Sequence, residues 1–370
     1  MTQFTILRFS AKHGYAVLDN FLREIPDWEN LNYTELHDAY RSRRYIYINA
    51  FADCMEALGN KAIDIVYDVE CLQKKWADEH HFTYSEKNWQ QEIILEQIRH
   101  YRPDVVYAME IFFLPVAILK DFKTRFPFIR LFVSQKGFPH AFKELATADL
   151  VYTCTPGIVD QFQKKGVNAR LLYHCFDETI LDAFAGNEKI VQQWPCGFIG
   201  SSGYGYPNHS FRYSLLAELF EKTELRGWLH EIEPNRPVDQ RPLSKLYPDQ
   251  VENPCFGLEM YKRLLSCGVV LNMHTDAADK YVGNMRLFEA TGVGVCLLTD
   301  TGVNMPELFE EGVDVVTFSS REECFIKLEE LLGNAALRKS VATRGQKKTL
   351  TCHTLTARCK QIHEELSALL

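Results

Sequence analysis

The stretch GNMRLFEATGVGVCLLTD, residues 283–300, sets an arginine and a glutamate between a glycine entrance and an apolar run. A helix beginning near Asn284 would leave backbone N–H groups free at its start, and that end favours a phosphate. Arg286 falls in the first turn and adds a forked cation suited to phosphate oxygens. Glu289, three residues on, is a poor neighbour for phosphate. A carboxylate can instead accept two hydrogen bonds from a vicinal diol, which a ribose presents. Helix start and arginine for a diphosphate, with glutamate for a ribose, describe a nucleotide handle. The same spacing also suits an ordinary surface ion pair, worth about 0.2–0.5 kcal/mol. Gly292 and Gly294 serve equally well as helix-end residues.

The rest of the chain supplies the elements that would carry this handle. Apolar runs at 5–9, 61–67, 104–109, 128–133, 148–154 and from Ala169 read as strands. Helical spacing over 40–59, 89–101, 115–126 and 157–166 separates them. After a weakly patterned region, 174–193, alternation restarts with CGFIGS (196–201), ELRGWL (224–229), GVVLNMH (268–274), VGVCLLT (293–299) and VDVVTF (313–318). A loop with five prolines precedes residue 256. Strands that are apolar throughout imply parallel sheets covered on both faces. The expected architecture is α/β, two doubly wound parallel-sheet domains facing across a cleft. Ser319 and Ser320 each stand three residues before a glutamate, as two overlapping capping boxes. Leu355, Cys359, Ile362, Leu366 and Leu369 make an apolar stripe on a final helix expected over 354–370.

Open parallel sheets bind ligands beyond the carboxyl ends of their strands. In the first half those positions hold Lys12, His13, Asp68, Glu110, Gln135 and Lys136. In the second half they hold Gly200, Ser201, Asn272, His274, Thr299 and Asp300. The set is polar and mixed in charge, and suits a small polar ligand.

Bulk properties remove several classes. A chain of 370 residues is long enough for about two domains. Its net charge of -8 and lack of a long Lys/Arg run argue against nucleic acid. The longest apolar run, 111–119, falls short of the roughly 20 residues that span a bilayer. The N-terminus shows no secretory signal pattern. Eleven cysteines stand singly, as reduced thiols of a cytosolic protein do, with no zinc-type spacing. LKDFKTRFPFIR interleaves four basic residues with three phenylalanines. It reads either as a weak peripheral contact for an anionic membrane or as an amphipathic helix leading into a buried strand.

GLEMYKRLLSCGVVLNMHTDAADKYVGNMRLFEATGVGVCLLTD, with ELFEEGVDVVTF and RGQKKTLTCHT, resembles the C-terminal domain of the group 1 glycosyltransferases. The branch it looks most like is that of the spore maturation glycosyltransferase-like proteins of bacterial cell-surface polysaccharide clusters. KNWQQEIILEQIRHYRPDVVYAME, the Ser-Gln of VSQKG, and ADLVYTCTPGIVDQFQKKGVNARLLYHCFDETIL extend the resemblance over nearly the whole chain. It is strongest over 256–300.

The resemblance implies the GT-B architecture of two Rossmann-like domains. Residues 1–175 would bind the acceptor, 176–350 the nucleotide sugar, and 351–370 would cross back to the first domain. It implies that Glu289 holds the ribose and that Arg212, the matching basic residue after the first strand of the second domain, holds the diphosphate. The donor nucleotide is then expected at Gly200, Ser201, Arg212, Asn272, His274, Asn284, Arg286 and Glu289. Sugar or acceptor contacts are expected at Lys12, Gln135, Lys136 and Asp276. One departure matters. Many retaining members carry two glutamates eight positions apart, and Tyr281 stands eight before Glu289 here. The sugar contact then falls to Asn272, His274, Asp276 or Asp279, and the stereochemistry stays open.

No Asp-x-Asp stands at a strand end in the first half, so neither a bridging metal nor any cofactor besides the donor substrate is implied. The charge of the departing diphosphate would be met by Arg212, Arg286 and helix-start N–H groups. An inverting enzyme also needs a base, for which His13 and Glu110 are the candidates. The expected function is sugar transfer from a nucleotide-diphosphate sugar to a glycan, lipid-linked or protein-linked acceptor. The expected setting is bacterial surface polysaccharide or glycoconjugate synthesis, in the cytoplasm or at the inner face of the membrane. The alternatives are a nucleotide-sugar epimerase of the same fold and a non-enzymatic nucleotide-sugar-binding protein. A Rossmann dehydrogenase would want G-x-G-x-x-G after the first strand, which SAKHGYAV does not supply.

Overall fold

The computed structural model describes residues 3–12, 17–185, 190–206, 209–233 and 238–370. The chain divides into two compact units. The first comprises Met1–Tyr173 and Leu355–Leu370, the second His174–Thr354.

Six parallel strands form the sheet of the first unit: β1 (Thr5–Ser10), β2 (Lys61–Val66), β3 (Val105–Ala108), β4 (Leu131–Gln135), β5 (Leu150–Thr153) and β6 (Ala169–Leu171). Their order is β2-β1-β3-β4-β5-β6, so the winding reverses between β1 and β3. β1 is buried along nearly its whole length, which is why even Arg8 lies inside. That charge is met by Asp64, its register partner on β2, through a forked ion pair with one arm at 2.7 Å. Arg8 also donates to the Ile48 carbonyl at 3.1 Å and lies over the Phe51 ring.

This contact explains a correction. The helix expected over 40–59 is two helices, Tyr33–Ser42 and Phe51–Ala57. Between them Arg44 and Ile48 take φ of +58° and +48°, which no right-handed helix continues through. The Arg8 guanidinium holds that turn from inside the sheet, a tertiary cause that periodicity cannot show. The helix expected over 115–126 likewise divides at Asp121. Phe122 and Phe126 of this segment are buried in the core, and Phe128 lies half-buried under Arg102. Its surface is therefore basic rather than aromatic. Among the described residues no helix is long and apolar enough to cross a membrane.

The last helix, Leu355–Leu369, belongs to this first unit. Leu355, Cys359, Ile362 and Leu366 are buried, whereas Leu369 is 39% exposed and lies off the seam. His363 accepts a hydrogen bond from Asn60 at 2.9 Å and stacks on Phe4. Glu365 accepts from Tyr152 and Arg170.

The second unit repeats the plan with β7 (Trp194–Ser201), β8 (Leu225–His230), β9 (Val251–Glu252), β10 (Cys267–Asn272), β11 (Cys296–Asp300) and β12 (Val316–Phe318). All pairs are parallel, in the order β12-β11-β10-β7-β8-β9, with the reversal between β7 and β10. The helix Met285–Gly292 joins β10 to β11. It stops at Gly294, whose φ of +82° suits glycine. Gly294 donates to Thr291 and Val295 to Ala290, the paired bonds of a Schellman end. At Gly292 a Cβ would come within 2.3 Å of the Phe176 ring, so the helix approaches that segment only because the residue is glycine.

Candidate functional site

In the second unit the carboxyl ends of β7 and β10 adjoin at the winding reversal, where ligands of this sheet class bind. Arg212, on the helix Ser210–Lys222, ties those two ends together. Its guanidinium donates to the Met273 carbonyl at 2.9 Å and, more weakly, to the Ser201 carbonyl at 3.4 Å. Nε is buried without a partner. Burial lowers this group from its ordinary value, and the Asp300 and Asp276 carboxylates oppose that.

The Met273 carbonyl also accepts from Asn284 at 3.3 Å. Asn284 and Asn272 exchange amide hydrogen bonds at 2.8 and 3.1 Å. Asn272 donates further to Thr299, its register partner on β11, at 3.0 Å. Asn284 caps the helix Met285–Gly292 by accepting from the Leu287 N–H. Arg212, Asn272 and Asn284, with the peptide that leads to His274, thus form one hydrogen-bonded set. Ser201 sits at its edge, following Gly200, and its hydroxyl accepts from the Gly203 N–H. Asp276 is exposed on the turn Asp276–Ala278 and reaches the set through its charge.

His274 is buried and held by Asp300. Its backbone N–H donates to both carboxylate oxygens, at 3.1 and 2.9 Å, and its Nδ1 lies 2.6 Å from Oδ1. Burial would raise the Asp300 carboxyl, but the His274 imidazole and these hydrogen bonds hold it below the usual carboxylate range. Asp300 stood among the strand-end residues of the sequence. Its pairing with His274 follows from the neighbouring of β10 and β11, which the sequence does not state.

Arg286 and Glu289 do pair, at 2.8 Å, but not on the surface. Their side chains are only 14% and 8% exposed. Arg286 also donates to the Met260 sulfur, and its Nε is buried without a partner. Tyr261 is close enough that, after burial, the Glu289 charge is the next cause raising its hydroxyl. Cys255 interacts with the Arg286 charge, and burial pushes its thiol up to about 12, so it stays protonated at neutral pH. Cys255 lines a pocket of about 550 Å³ with Trp228, His230, Glu231, Glu259 and Arg263. That volume is in the range of small-molecule sites. Sequence reasoning missed this pocket, because the loop that builds one wall showed only prolines.

In the first unit, Glu110 accepts from Lys136 through both oxygens, at 3.0 and 2.7 Å. Lys136 is buried, with its ammonium over the Phe112 ring. Gln135 is engaged elsewhere, accepting from Tyr107 at 2.6 Å. The Lys12 N–H donates to Asp68, whose carboxyl is raised by burial against that hydrogen bond. A pocket of about 450 Å³ opens between Trp89, Gln90, Gln91, Phe112 and Glu144. His13 lies outside the described residues. Among the described residues no three His, Cys, Asp or Glu side chains gather as a metal-ligand group.

A family model described as glycosyl transferase-like matches residues 218–364, less than half of the chain. Anabaena HepE, solved in complex with UDP-glucose, is 13% identical with a TM-score of 0.61, over 99% of this chain and 100% of that one. Sucrose-phosphate synthase from Thermosynechococcus elongatus is 10% identical with a TM-score of 0.59, over 100% and 99%. A glycosyltransferase from Rickettsia africae is 10% identical with a TM-score of 0.61, over 100% and 99%. The fold is GT-B. A comparison with curated proteins finds no match.

Proposed function

We propose that this chain transfers a sugar from a nucleotide-diphosphate sugar to an acceptor hydroxyl. The observation that carries the reading is the buried Arg286–Glu289 pair in the first turns of a capped helix. An exposed pair would need no function. A buried one with a guanidinium nitrogen left over, whose charge reaches the pocket-lining Cys255, suits a ligand that completes it. In this reading Arg286 fixes one oxygen of Glu289 and leaves the other to a ribose diol. Arg212, Asn284 and the helix start receive the diphosphate. Gly200, Ser201, Asn272 and His274 complete the donor side, with Asp276 toward the sugar. Glu110, His13, Lys12, Gln135 and Lys136 belong to the acceptor side.

HepE was solved with UDP-glucose, which makes UDP sugars the first donors to try. Work without a metal, on surface polysaccharide or glycoconjugate acceptors at the inner face of a bacterial membrane, belongs to the same proposal. The test is release of nucleoside diphosphate from a panel of nucleotide sugars, with and without oligosaccharide acceptors and with EDTA. Release that an acceptor accelerates supports transfer. Epimerised donor without an acceptor would point instead to an epimerase, and binding with no turnover under any condition to a binding protein.

A further inference from the structure

His274 has one ring nitrogen assigned and one to spare. The Asp300 carboxylate can only accept, so the 2.6 Å contact places a hydrogen on Nδ1. Because the backbone N–H of His274 grips the same carboxylate, ring and carboxylate are held as a unit. Nε2 is then fixed in direction, and it is buried with no protein partner. Several buried polar atoms among the described residues lack a protein partner, and this one stands apart because it lies at the strand ends where ligands of this sheet class bind. A second lies close by, the Nε of Arg212, whose guanidinium feels the Asp300 charge. Both sit at the β7–β10 reversal.

The ionisable groups around the ring are mixed. Asp300 comes from β11, Arg212 from the helix Ser210–Lys222, and Asp276 from the turn after β10. His209 adjoins Arg212 and Asp276, and Cys324 faces Asp300 with a thiol that burial pushes up to about 12. Arg212 contributes positive charge to this set, and Asp300 and Asp276 negative charge. A bound diphosphate adds further negative charge, which favours a proton on the ring nitrogen facing it.

We infer that His274 takes up one proton at Nε2 when a nucleotide-sugar diphosphate binds, and donates that N–H to a phosphate oxygen. Asp300 does not touch the ligand. It is a positioning residue, holding the ring and stabilising the imidazolium. The proton comes from water and no covalent bond to the ligand forms or breaks. The inference rests on the donor reading above and adds to it a proton-linked diphosphate contact.

The test is the affinity for UDP-glucose, with GDP-mannose and dTDP-glucose in parallel, between about pH 5.5 and 8, where an imidazole titrates. A diphosphate esterified at both ends keeps its charge across that range. Wild type should lose affinity as pH rises, toward a limit of about tenfold per unit. Calorimetry in two buffers of different ionisation heat should show net proton uptake. His274→Asn should bind more weakly with no pH slope. Asp300→Asn should keep a slope whose midpoint moves to lower pH, and melting curves check that both variants fold. Wild-type binding that is flat with pH, or a slope that survives in His274→Asn, overturns the inference and leaves the donor reading standing. Failure of a folded wild type to bind any of the three sugars overturns both.

Discussion

Glu289→Ala separates a buried functional pair from an incidental one. In the fold Glu289 is 6% exposed, and Arg286 has one charged partner and one thioether. Removing the carboxylate leaves a guanidinium facing a methionine sulfur. Breaking one side of a buried pair costs about 3–5 kcal/mol, and the residual exposure of Arg286 puts this case near about 3. Arg286→Met in the same chain removes the stranded charge, so the double variant should be more stable than Glu289→Ala alone, by about 1–2 kcal/mol. Urea unfolding of wild type, both single variants and the double variant reads this cycle. Donor affinity on the same samples reads function. Loss of a charge-assisted contact to the ribose, about 1.5–3 kcal/mol, should weaken binding roughly 10- to 150-fold. A Glu289→Ala protein as stable as wild type would refute the energetic reasoning. Affinity within twofold of wild type would refute the ribose role.

Much of this helix was legible because its signals are local. Asn284 as cap, Gly294 as stop and the Arg286–Glu289 spacing depend on neighbours within a turn or two. Ser319 and Ser320 were partly legible for the same reason. Neither of the two expected capping boxes closes: Ser320 caps the helix by accepting from the Glu323 N–H, but the Glu323 carboxylate accepts from the Ser319 N–H and hydroxyl rather than from the Ser320 N–H. Strand alternation gave the doubly wound sheets, since a parallel strand is apolar on both faces.

The helix Ala335–Cys352 was not read, because its buried seam is Val341, Gly345 and Thr349 rather than a stripe of large apolar residues. Those small residues allow close approach. Thr349 shares a 2.7 Å hydrogen bond with Thr291, and a Cβ at Gly345 would meet the Asp314 carbonyl at 2.5 Å. The Asp300–His274 pairing and the break at Ile48 depend on contacts between distant segments, which one sequence does not display.

Three further outcomes are expected. Burial holds His363 below the ordinary imidazole value, with Glu364 opposing. The unfolded chain then takes up the proton first, so stability is full above about pH 6.5 and falls as the pH drops below it. His363→Leu should flatten that acid slope in urea midpoints measured against pH. Gly292→Ala should destabilise by about 1–3 kcal/mol through its clash with Phe176, and Phe176→Leu should recover part of the loss in the same melt. Glu110→Gln should leave donor affinity within about twofold, while a base role would cost at least about 100-fold in acceptor-dependent turnover. An unchanged rate would remove Glu110 from the chemistry and leave the donor site untouched.

The most direct measurement is a thermal-shift panel of UDP, GDP, dTDP, CMP and ADP on wild type and Glu289→Ala. A ligand at about 100 times its dissociation constant stabilises by roughly 2.7 kcal/mol, enough to raise the melting point by a few degrees. A shift is expected with one nucleoside diphosphate in wild type, cut to about half or less in the variant, as a roughly 10- to 150-fold weaker affinity requires. No shift with any of them, in a folded wild-type sample, would contradict a nucleotide-sugar site on this chain.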